Sequence, residues 1–107
     1  MNEFINNNGI KFEVLDRQLY LETAHLSNLG EIMESTYFKE ILDMGDDSIP
    51  FVVDKIINGG GTFAHPMLLK RITGIESFLK EGDDITTKNI KKGIGEWWIE
   101  NKSKYGG

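Results

Sequence analysis

The chain of 107 residues has no cysteine, only two histidines and two prolines, and no apolar run approaching the roughly 18 residues of a membrane span. Each absence removes a class of chemistry. Without cysteine there is no disulfide framework, no thiolate zinc site and no cysteine nucleophile. His25 and His65 stand forty residues apart. A metal site would need carboxylates such as Glu22 beside His25, a spacing common by chance, so no metal and no cofactor are expected. Asn58-Gly59-Gly60-Gly61-Thr62 lacks the Lys-Ser or Lys-Thr of a phosphate-binding P-loop, and the aspartates between 43 and 54 lack the spacing of a calcium loop. Basic residues are also scarce, 12 against 17 acids, for a net charge of −5. That balance argues against direct binding to nucleic acid or to an anionic membrane. The first nine residues show neither the basic nor the apolar region of a signal peptide, so a cytoplasmic location is expected.

What is present is helical punctuation. Between Tyr37 and Ile57, Phe38, Ile41 and Leu42 share one face, and Gly45 can close that helix in a left-handed conformation. Asp46 or Asp47 can cap the next helix, which has Pro50 in its first turn and Ile49, Val52, Val53, Ile56 and Ile57 as its apolar stripe. Two short helices so closely joined are expected to pack antiparallel. Residues 10–24 read both ways: Phe12, Leu15 and Leu19 have helical spacing, whereas Ile10, Phe12 and Val14, then Leu19 and Leu21, alternate as strands do. Helix is favoured, because Leu15-Asp16-Arg17-Gln18 is a poor hairpin turn.

Ser27 is a candidate cap for a short helix through Glu34, and Ser35 or Thr36 for the helix that follows. The three glycines break the chain, Pro66 starts another helix and Gly74 stops it. Phe78 and Leu79 offer an anchor before a polar loop, with Asp84 or Thr86 as the next cap. In the last helix Ile90, Ile94, Trp97 and Trp98 stand on one face, opposite Lys91, Lys92, Glu96 and Glu100. Gly93 and Gly95 in one turn fit a close backbone approach and simple tolerance of small residues equally well. The expectation is all-α: a compact bundle of about five short helices in HEAT-like hairpins, one domain over residues 10–105 behind a flexible stretch at 1–9. A chain of this size buries roughly 60–70% of its unfolded surface, enough for one modest core.

The segments Tyr37-Phe38-Lys39-Glu40-Ile41-Leu42-Asp43-Met44-Gly45 and Ile49-Pro50-Phe51-Val52-Val53, followed by Ile72-Thr73-Gly74 and the Trp-bearing last helix, resemble a family of small, uncharacterised bacterial helical proteins. Glu22-Thr23-Ala24-His25-Leu26-Ser27 is also similar to that family's pattern, so the resemblance runs from about Phe12 to Gly106. It departs at His65-Pro66-Met67, where the family commonly has aromatic residues, and in the inserted glycines. The resemblance implies an all-helical, HEAT-like fold and supplies no catalytic residue.

Charge is unevenly spread. Through Thr62 there are eleven acids and four bases, −7; beyond it, six acids and eight bases, +2. Paired carboxylates do acid–base chemistry, but capping is the first expectation for Asp46 and Asp47. The expected function is a small acidic interaction module, not an enzyme, that binds another protein with a basic surface, as an inhibitor of antitoxin, immunity or phage anti-defence type does. Its candidate contact residues are Glu40, Asp43, Asp46, Asp47, Asp54 and Trp98, the last because an exposed tryptophan is a frequent interface anchor. Two alternatives differ in class: a hydrolase or nucleotide-dependent enzyme built on Glu22, His25 and His65, and an oligomeric helical protein that buries Trp97 or Trp98 at a twofold interface.

Overall fold

The computed structural model describes residues 7–24, 29–59, 62 and 64–105, and among them every regular element is helical. Helix α1 spans Asn7–Thr23, α2 Leu29–Met33 and α3 Thr36–Met44. A 3₁₀ turn over Gly45–Ser48 leads into α4, Ile49–Asn58; α5 is Ala64–Thr73 and α6 Thr87–Asn101, followed by a second 3₁₀ turn over Lys102–Tyr105. The all-α expectation holds. The ambiguous stretch is one helix, begun at Asn7 rather than Ile10. His25, Ser27, Gly60 and Gly61 lie outside the described residues.

Most local signals act where the sequence places them. Ser35 caps α3, its Oγ accepting from the Tyr37 N–H at 3.2 Å, and Thr86 caps α6, its Oγ1 accepting from the Asn89 N–H at 3.1 Å. Gly45 ends α3 at φ +60°, a conformation that side chains with a Cβ resist, and its N–H donates to the Leu42 carbonyl. Gly93 is a true close approach: a Cβ there would stand 1.9 Å from the Phe78 carbonyl oxygen. Gly95 is not, since its Cβ would meet only the Ile57 Cδ1, at 4.0 Å.

Two expectations are corrected. Asp46 and Asp47 do not cap α4. An N-cap needs extended backbone, but after the break at Gly45 the 3₁₀ turn runs straight into Ile49, and Ser48, at φ −87° and ψ −17°, turns its hydroxyl back to the Gly45 carbonyl at 2.8 Å. Nor do α3 and α4 close as an antiparallel hairpin. Helix α5 comes between them: α3 packs on α1 and α5, and α4 on α5 and α6.

The packing order in space is therefore α1, α3, α5, α4, α6, with α1 and α6 at the two ends. Phe12, Leu15 and Leu19 from α1 meet Phe38 and Ile41, then Ile49, Val52, Val53, Leu68 and Leu69, and Phe78 and Ile94 close the far side. Side chains of α1 also reach α4, where Phe12 stacks on Phe51 with ring centroids 5.7 Å apart. An end helix has one face left over, and what each end helix places there differs.

Candidate functional site

The only buried ionisable pair among the described residues joins α1 to α5. His65 is almost fully buried and Asp16 nearly so, with side chains 3% and 12% exposed. The Thr62 backbone N–H donates to His65 Nδ1 at 2.8 Å, so the ring's proton is on Nε2, from which it donates to Asp16 Oδ1 at 2.6 Å. Local sequence fixes half of this: Thr62 sits just before α5, and its Oγ1 also accepts from the Ala64 N–H at 3.2 Å. With both ring nitrogens engaged, the histidine ties the segment before α5 to the flank of α1 and holds no free lone pair for proton transfer.

Asp16 escaped sequence reasoning. It lies forty-nine residues from its partner. The available signal was positional: four residues after Phe12 and three before Leu19, it borders the buried face of α1, where a carboxylate requires a partner. Glu22, the carboxylate the sequence offered to a histidine site, is exposed on α1 and is not part of this cluster.

Beside the pair lies a groove of about 750 Å³ walled by Glu13, Val14, Arg17, Tyr20 and Lys55. Lys55 spans its rim to Glu13 at 3.2 Å. Among the described residues no group of three His, Asp or Glu side chains converges as a metal site would need.

The acidic candidates occupy one continuous stretch. Glu40 and Asp43 are exposed on α3, Asp46 and Asp47 on the 3₁₀ turn, and Asp54 on α4. No base lies between Lys39 and Lys55, and both of these flanking lysines lean away, Lys39 to Glu34 at 3.8 Å and Lys55 to Glu13. Among the described residues none of the five carboxylates has an ion-pair partner; Asp54 accepts only from the neutral Asn58 amide. Trp98 is placed differently. It is half-buried, with its ring 6.3 Å from Trp97 and 6.4 Å from Tyr105, and Trp97 in turn meets Phe78 edge-on at 5.6 Å. These rings cover the α6 end of the core.

A further surface has no counterpart among the sequence candidates. On α1, Ile10, Val14 and Leu21 are 59%, 55% and 57% exposed, and Tyr20 is similarly open. At about 100° per residue Ile10, Val14 and Leu21 fall, with Arg17, on the side of the helix opposite Phe12, Leu15 and Leu19, and Tyr20 stands on the flank.

Comparison with protein-family models, with curated proteins and with solved structures returns no match. Function must be argued from these surfaces alone. Among the described residues no helix is long and apolar enough to cross a membrane.

Proposed function

We propose that the protein is a small acidic interaction module that docks a basic protein surface on the segment from Glu40 to Asp54. The carrying observation is that five exposed carboxylates stand in one stretch without a neutralising base among the described residues, while both flanking lysines pair elsewhere. The structural role that competed for Asp46 and Asp47, capping α4, is not theirs. They follow the C-terminus of α3, where the helix dipole opposes negative charge, and precede the start of α4, where it favours it. Such a surface steers an oppositely charged partner and fixes its orientation; affinity comes from the contacts made on arrival. A phosphate backbone would be repelled, in line with a partner that is protein and not nucleic acid. Inhibitors of antitoxin, immunity or phage anti-defence type work through docking of this kind, and we place the protein with them. His65, bonded at one nitrogen to Thr62 and at the other to Asp16, supports a structural role for that residue over the catalytic one the enzymatic alternative gives it.

The test is capture from host lysate on immobilised wild-type protein and on the Asp43→Lys/Asp54→Lys variant, both checked for native helicity. One stoichiometric basic partner, lost in the variant and weakened as salt rises, is the expected result. Equal capture by the two proteins would remove this surface from consideration.

A further inference from the structure

We infer that a second copy of this chain covers the outer face of α1, packed antiparallel to the first. The observation is independent of the acidic segment. Ile10, Val14, Arg17 and Leu21 are spaced by four, three and four residues, the spacing of a coiled-coil seam, and the helix that carries them is about 26 Å long. All of its outward apolar side chains are more than half exposed, although its inner face already fills the core. A helix needs only one apolar face to belong to a monomer.

The charges on this face select the occupant and its direction. With a twofold axis between Leu15 and Asp16, Ile10 meets Leu21 of the second copy and Val14 meets Arg17. The methylene stem of Arg17 then covers Val14, and its guanidinium reaches Glu13 of the second copy, whose side chain is 58% exposed and which has Lys55 as its one charged partner. Tyr20, on the same flank as Glu13, meets that flank of the other helix. A parallel pairing would instead set Arg17 against Arg17 inside the seam, a like-charge contact that opposes it. The face is thus complementary to its own reverse. One helix seam is smaller than the roughly 800 Å² per partner of a standard interface, so dissociation in the micromolar range is expected.

Sedimentation equilibrium of the full chain from low to high micromolar concentration tests the association. A monomer–dimer equilibrium is expected, weakened about tenfold or more in Val14→Lys/Leu21→Lys with helicity retained. Arg17→Glu, a change at an exposed position, should weaken it without touching the apolar contacts. The absence of cysteine makes the orientation directly readable. Mixed under mild oxidation, Ile10→Cys and Leu21→Cys should cross-link to each other in preference to themselves. A monomer at every concentration, or a dimer unaffected by either variant, would overturn the inference; self-cross-linking alone would overturn the antiparallel arrangement. Because Asp43 and Asp54 are untouched, lysate capture reports on the acidic surface separately.

Discussion

Helices α1 and α6 occupy equivalent places at the two ends of the stack, and they spend their outer faces differently. On α6 the outer face carries Lys88, Lys92, Glu96 and Glu100, with Ile99 the single large apolar side chain exposed. On α1 the corresponding face carries Ile10, Val14 and Leu21 around one arginine. A lone exposed isoleucine is ordinary on any protein surface; an aligned apolar row is not. The inner faces differ as well. α6 is held by backbone proximity at Gly93 and by aromatic packing, whereas α1 is held by an apolar row and a buried histidine–aspartate contact. Each end can therefore be broken by its own substitutions.

The largest effect is expected at the α6 end. Gly93→Ala puts a carbon where the Phe78 carbonyl stands, and neither backbone segment can yield cheaply, so unfolding free energy should fall by about 3 kcal/mol or more despite alanine's better helix propensity. Gly95→Ala is the control. Its Cβ finds only ordinary contact, and the substitution should stabilise by about 0.5–1 kcal/mol. Chemical denaturation of both variants measures the contrast; a mild Gly93→Ala would mean that α6 and the Phe78 segment can move apart at little cost.

At the α1 end, His65→Ala leaves the Asp16 carboxylate and the Thr62 N–H without the ring that bonds both, and although the neighbouring groove lets water reach them the loss in the same assay should be about 2–3 kcal/mol. Lys55→Ala removes the neighbouring rim contact to Glu13, which is well exposed, and should cost under about 0.5 kcal/mol. Similar losses from the two changes would show that α1 is held by its rim as much as by the buried pair.

The outer faces separate on a third measurement. If α1 meets a second copy, the wild-type melting temperature rises with protein concentration, and Val14→Lys abolishes that dependence; Ile99→Lys on α6 should leave it intact and change stability by no more than about 0.5 kcal/mol.

This contrast also explains what could be read from the sequence. The α6 end was legible: Ile90, Ile94, Trp97 and Trp98 on one face against charges on the other is a single amphipathic pattern, and the pair of glycines left close approach and tolerance open, the first true of Gly93 and the second of Gly95. The α1 end was not. With apolar side chains on two opposite faces, Ile10, Phe12, Val14, Leu19 and Leu21 blur the helical period and imitate strand alternation. The same double-sidedness hid both the exposed row and Asp16, because only the fold shows which of the two faces is covered. Caps followed local chemistry at Ser35 and Thr86 and failed at Asp46 and Asp47, which lie inside a 3₁₀ turn that runs directly into α4. The uncapped acids are thus legible as charge in the sequence, but their freedom from structural work is a property of the fold.

The smallest effect concerns how the polar loop is tied to α6. Lys80 Nζ lies 2.6 Å from Glu96 Oε1 across an exposed surface. The hydrogen bond to Lys80, and then its charge, hold the Glu96 carboxyl below its ordinary value; the same bond and the Glu96 charge raise the Lys80 ammonium above its own. The two shifts act at opposite ends of the pH scale. Glu96's contribution is fully present above the ordinary carboxylate range and is lost as pH falls through its lowered value. Lys80's is fully present below the ordinary lysine value of 10.5 and is lost as pH rises through its raised value. Through the neutral range the tie should be constant. Because both groups are open to solvent, salt should weaken it without unfolding the core. Amide exchange over residues 78–86 is the sensitive readout: faster in Glu96→Gln and at high salt, unchanged in α1. If exchange in that segment is indifferent to Glu96→Gln, the loop is held by the burial of Phe78 and by neutral hydrogen bonds such as that from the Asn89 amide to the Asp84 carbonyl, and the α6 end owes its order to these rather than to charge.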